Sequence, residues 1–131
     1  MSYPFRPGAP AFPVLPVTIF QVEGSAHTAT MFAMLDTGSD TTLVPHRLLT
    51  AIHAEKLYNT HISSLWGDTR AATVFMVDIE VAGMRIPAVE VVADNYSSDV
   101  LLGRNVLNRL ILLLDGLHQT TDVLTRRPLR L

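Results

Sequence analysis

The sequence predicts a single, mostly β domain. Three observations carry this. The chain has 131 residues, enough for one hydrophobic core but not two. Short runs rich in Val, Ile, Thr and Phe recur between turn residues. Only two brief stretches carry helical signals.

Residues 1–14 read as an extended arm, because Pro4, Pro7, Pro10, Pro13 and Pro16 recur every third position. That spacing matches polyproline II and opposes both helix and central strand. Strands are then expected over Leu15 to Gln21 and Ala29 to Leu35, separated by the turn residues Glu23-Gly24-Ser25. Further strands are expected at Thr60 to Leu65, Ala71 to Val81, Arg85 to Ala93, Ile111 to Leu114 and Thr120 to Leu124. Ala82-Gly83 and Asp115-Gly116 supply hairpin turns. The helical stretches are His46 to Ala54, after Pro45, and Arg104 to Arg109. The domain proper spans 15–125, and Arg126, Arg127 and Arg130 make a basic tail over 126–131 that reads as a solvated end.

Composition removes several function classes. The chain has no cysteine, which rules out thiol catalysis, Cys-ligated metals and disulfides. Ten Lys and Arg against twelve Asp and Glu leave a net charge of -2, so a nucleic-acid partner is not expected. The longest aliphatic run, Leu110 to Leu114, is far short of the ~20 residues of a membrane span. The first residues lack the apolar segment of a secretory signal, and the expected location is cytoplasmic. His27, His46, His53, His61 and His118 show no ligand spacing, and no phosphate loop or Gly-x-Ser-x-Gly elbow occurs. Asp36, Ser39 and Asp40 offer oxygen ligands but no complete octahedral set for magnesium. Neither a metal nor a cofactor is expected.

Two motifs carry chemistry. Met34-Leu35-Asp36-Thr37-Gly38-Ser39-Asp40 places a carboxylate on a tight turn between two hydrophobic strands. Glycine permits close backbone approach there, and the hydroxyls can fix the turn. An Asp-Thr-Gly alone often marks an ordinary turn. Downstream, Val100-Leu101-Leu102-Gly103-Arg104-Asn105 is an apolar strand ending in glycine and opening a short helix.

Together these motifs resemble the retropepsin-like aspartic proteases, over about Leu15 to Leu124. The resemblance implies a retropepsin-like acid-protease fold: a small closed β-barrel with a flap hairpin and one short C-terminal helix. It implies Asp36 as the catalytic aspartate, with Thr37, Gly38 and Ser39 supporting its loop. Thr37 would bond across to a partner loop, and the Ser39 hydroxyl would reach the carboxylate. Gly103 is the glycine of the second motif, and Asp40 and Arg104 resemble a family ion pair. Leu65, Trp66 and Gly67 fall at the flap tip, which has less glycine than viral members carry. The basic residue by which viral members reach their partner is missing from Val14-Leu15-Pro16.

Peptide hydrolysis by this route needs two carboxylates around one water, one to take a proton and one to polarise the carbonyl. This chain has one Asp-Thr-Gly; Leu114-Asp115-Gly116 fits a hairpin turn instead. The expectation is therefore a homodimeric endopeptidase acting on a peptide or protein, with an Asp36 dyad across a two-fold axis and an acidic optimum. The rival is the same fold kept as a dimerisation or peptide-binding module with weak or no catalysis. The bonds Tyr3-Pro4 and Phe12-Pro13 are aromatic–proline sites at which the enzyme could trim its own arm.

Overall fold

The computed structural model describes residues 1–129. In chain order the elements are β1 (Ser2–Pro4), β2 (Val14–Phe20), β3 (Met31–Leu35), β4 (Thr42–Pro45), α1 (His46–Ala51) and β5 (Glu55–Ser63). Then follow β6 (Thr69–Val81), β7 (Met84–Asp94), β8 (Leu101–Leu102), α2 (Arg104–Leu107), β9 (Ile111–Asp115) and β10 (Thr120–Leu124). The predicted mostly β class holds. No helix of the described residues is long and apolar enough to cross a membrane.

Six strands run in the order β2-β3-β8-β4-β7-β6, and a β2–β6 pairing closes them into a barrel, with β5 attached outside on β6. Alternation along β2 and β6 sends Leu15, Val17, Ile19, Val77, Ile79 and Val81 into the barrel, each fully buried or nearly so. Burial of one such side chain is worth about 1.5–3 kcal/mol, so the barrel interior dominates stability. Leu49 of α1 and Val106 of α2 plug it from outside the sheet, both fully buried. The strand β8 lies between β3, with which it runs parallel, and β4, with which it runs antiparallel.

Turn chemistry fixes the hairpins. Ala82 and Gly83 both take positive φ, the two-residue turn that matches strand twist, between paired Val81 and Met84. At the β9–β10 turn the Asp115 carboxylate accepts from the His118 backbone N–H at 3.1 Å and contacts its ring nitrogen at 2.6 Å. These bonds to His118 hold the Asp115 carboxyl below the usual carboxylate range. Leu114-Asp115-Gly116 thus carries β9 into its hairpin turn.

The arm departs from expectation. Ser2–Pro4 pairs antiparallel with Thr120–Asp122, making a three-stranded sheet in the order β1-β10-β9, and Tyr3 packs on the core. Proline is tolerated because β1 is an edge strand, where a missing N–H breaks no ladder. Pro16 likewise lies within β2, facing Phe32 of β3 just before the pairing with β6 begins at Val17. Both bonds considered for self-trimming lie in hydrogen-bonded backbone: Tyr3 and Pro4 pair with Thr121 and Thr120, Phe12 N–H donates to Arg6, and Pro13 accepts from Leu35. Of the basic tail, Arg130 lies outside the described residues.

Other boundaries shift for local reasons. The helix expected to reach Ala54 ends at Ala51, because His53 turns to positive φ and Ala54 N–H bonds back to Leu49. The helix expected over Arg104 to Arg109 is helical only through Leu107. The strand expected at Thr60 begins five residues earlier, at Glu55. It pairs only with β6, so both its faces meet solvent and its sequence shows no apolar alternation.

Candidate active site

The two sequence motifs meet in space. The Asp36 N–H, at the end of β3, donates to the Leu102 carbonyl of β8 at 2.9 Å. Its carboxylate Oδ1 accepts from the Gly38 N–H, also at 2.9 Å, which closes the loop around a half-buried acid. A Cβ on Gly38 would stand 3.1 Å from that oxygen. The loop is then clamped by the start of α2. Arg104 N–H donates to the Ser39 carbonyl at 2.8 Å, and Arg104 Nη1 donates to the Thr37 carbonyl at 2.8 Å. Gly103 N–H donates to Thr42 Oγ1 at 3.1 Å, and that hydroxyl donates to Asn105 Oδ1 at 2.8 Å.

Gly103 is required by close approach. A Cβ there would fall 2.0 Å from the Thr41 carbonyl oxygen, a distance no side chain allows. Asn105 extends the clamp by donating through Nδ2 to the Glu90 carbonyl of β7 at 2.8 Å. Asn105 and Thr42 were not singled out in the sequence, although Asn105 stands within the Gly-Arg-Asn motif.

Two expected contacts are not made. Asp40 is exposed and forms no ion pair among the described residues, while Arg104 serves the Thr37 carbonyl. An exposed pair gains little over hydration, whereas a loop carbonyl facing a guanidinium gains a charge-assisted bond. The Ser39 hydroxyl donates to the Thr41 carbonyl at 2.8 Å, not to the Asp36 carboxylate. Thr37 is exposed. Arg6, in the arm, donates to the Phe32 carbonyl of β3 at 3.3 Å and lies 3.6 Å from Asp99.

Above the loop, a cleft of about 760 Å³ separates Gly38–Thr41 from the β5–β6 hairpin. Leu43, Val74 and Val92 give it an apolar wall, and Thr60, His61 and Ile62 roof it. Among the predicted tip residues, Leu65 lines the cleft, whereas Trp66 and Gly67 do not. The tip is a tight loop in which Ser64 N–H donates to the Asp68 carbonyl and Gly67, at φ +85, donates to Ser64. Trp66 is 90% exposed. Tyr58, at the base of the roof, donates to Glu90 at 2.7 Å, and that bond pushes its phenol above the ordinary value. Thr60, His61 and Ile62 fall within the strand expected at Thr60 to Leu65 but were not singled out as site residues, and Tyr58 lies in the part of β5 that precedes that expected strand.

A closed barrel that carries an Asp-Thr-Gly loop, braced by a strand-Gly-Arg-Asn turn beneath a hairpin-roofed cleft, is the fold of the retropepsin-like aspartic proteases. The chain belongs to the family described as gag-polyprotein putative aspartyl protease, whose model matches residues 22–109. Its fold is similar to that of EIAV protease, solved with the inhibitor HBY-793, at TM-score 0.59 and 21% identity over 75% of this chain and 86% of that one. It is also similar to a retropepsin-like aspartic protease from Rickettsia conorii, at TM-score 0.59 and 12% identity over 92% of this chain and 88% of the other. The retroviral protease-like domain of Ddi1 from Leishmania major aligns at TM-score 0.55 and 20% identity, over 88% and 90%. No curated protein sequence matches the chain.

Proposed function

We propose that the protein is a homodimeric aspartic endopeptidase in which Asp36 of each chain activates one shared water. The observation that carries this reading is the clamped Asp36 loop, with its carboxylate anchored on one oxygen and its neighbours, not itself, lining the cleft. Such an arrangement suits half of a two-carboxylate centre. One Asp36, ionised, takes a proton from water; its copy, protonated, donates to the peptide carbonyl. The water oxygen attacks the carbonyl carbon, and the amine leaves with a proton. Two acids so close share a proton, so the rate follows a bell-shaped profile on the acidic side of neutral.

The dimer reading also draws on β9. Its second edge has no strand partner among the described residues, and Leu113 and Leu114 are 39% and 50% exposed. An edge strand that is apolar from Ile111 to Leu114 is a template for pairing, here with a second copy. The hairpin over the cleft acts as the flap, adding β-type hydrogen bonds to an extended peptide and excluding water. Leu43, Val74 and Val92 favour apolar side chains in the bound peptide.

The test is cleavage of a degenerate peptide library from about pH 4 to pH 7, beside Asp36→Asn. Cleavage by the parent, lost in the variant at unchanged fold, is expected. Equal cleavage by both contradicts the assignment of Asp36, and peptide binding without cleavage marks a binding module instead.

A further inference from the structure

We propose that Arg70 is a positioning residue that latches the β5–β6 hairpin onto the 95–100 loop, through the ring face of Tyr96 and the carboxylate of Asp94. The inference rests on the reading of that hairpin as a flap. It starts from how little else holds the hairpin down. Pairing of β6 with β7 begins at Val74, so from Thr73 to the tip β6 has only β5 as a strand neighbour. A two-stranded ribbon is marginally stable by itself.

Arg70 lies within that ribbon, opposite Ile62. Strand alternation puts it on the face of Val74, a cleft residue, so its side chain is directed at the body of the domain. Its guanidinium carbon stands 4.7 Å from the centre of the Tyr96 ring, and Nη2 lies 3.9 Å from Asp94 Oδ1. Asp94 is only 7% exposed, and the same Oδ1 accepts from the Tyr96 N–H at 2.9 Å. One oxygen therefore shapes the loop and faces the latch. A fixed carboxylate and ring offer Arg70 a preformed seat that costs little ordering. The 95–100 loop runs directly into β8, whose Leu102 carbonyl holds the Asp36 backbone. The latch thus ties the hairpin's height to the strand beneath the acid. Opening the hairpin for a peptide breaks both contacts, and closing restores them.

The experiment is hydrogen exchange of the hairpin amides in the full-length parent and in Arg70→Ala, Tyr96→Ala and Tyr96→Phe, with KM and kcat on a cleaved peptide. A surface cation–ring contact predicts exchange about two- to fivefold faster in both alanine variants. Tyr96→Phe, which keeps the ring face, exchanges like the parent, and the melting temperature stays put in all three. KM rises by the same factor while kcat holds, since flap closure binds ground and transition states alike. Hairpin exchange unchanged in the alanine variants, or Tyr96→Phe behaving as Tyr96→Ala, overturns the latch. Should hairpin exchange respond while no peptide is cleaved, the latch stands and the protease reading fails.

Discussion

At the scale of single residues, Gly103 shows how packing holds the site in place, and Asp78 how electrostatics hold the barrel that carries it. Gly103 has the Thr41 carbonyl where its Cβ would be, so Gly103→Ala must push the second motif off the first. Overpacking costs about 1–3 kcal/mol, and a clash with backbone falls at the upper end. Denaturant unfolding of the variant should show that loss, and an unchanged midpoint would mean the two motifs are not in contact. Asp78 is 3% exposed and sits remote from the cleft. Burial raises its carboxyl, but bonds from the Ala88 and Glu23 N–H groups and from Arg85 outweigh it, and the net shift is downward. A lowered acid stabilises the fold fully above its unfolded value, ~3.9, and that contribution is lost as pH falls through the folded value. Asp78→Asn should therefore cost about 1–3 kcal/mol near neutral pH, with the gap from the parent closing in strong acid. Equal loss at every pH would contradict this. The anchor stays charged in mild acid, the range in which the proposed chemistry works.

Elements differ in how openly the sequence declares them. Trp66 is nearly free of the domain, so Trp66→Ala should leave the unfolding midpoint within about 0.5 kcal/mol of the parent, measured in denaturant. A larger loss would place the ring against something. Strands β2, β6, β7 and β10 alternate apolar and polar residues or end on turn chemistry, and were legible. The first half of β5 was not, because Glu55 to Asn59 has adjacent Leu57 and Tyr58 and no apolar alternation, on a strand with one neighbour. Nor was β1, because three-residue proline spacing describes a backbone preference and not the free edge of β10 that accepts it. That Asp36 and Gly38 meet Gly103 and Arg104 in one clamp was legible from the two motifs. The receiver of the Arg104 guanidinium was not, since choosing the Thr37 carbonyl over Asp40 depends on which group solvent already satisfies.

For the whole molecule, the parallel β3–β8 pair and the β2–β6 closure come from tertiary register that no local pattern encodes. They set the acid at the end of β3 with the β5–β6 hairpin across the cleft, yet each chain brings a single Asp-Thr-Gly. Removing residues 1–5 would strip β1 from β10 and leave β10 as the bare edge of the small sheet opposite β9. Sedimentation of that truncation should show weaker or less regular self-association than the full chain; an identical profile would remove this sheet from the interface.

The central claim is that two copies make one centre, and subunit mixing tests it most directly. Parent and Asp36→Asn chains are unfolded together in equal amounts and refolded at a concentration where the parent is dimeric. Random pairing leaves about a quarter of the pairs with two intact acids, so activity should fall to about a quarter of an all-parent sample. A fall to only about half, in proportion to the parent chains present, would mean that each chain works alone.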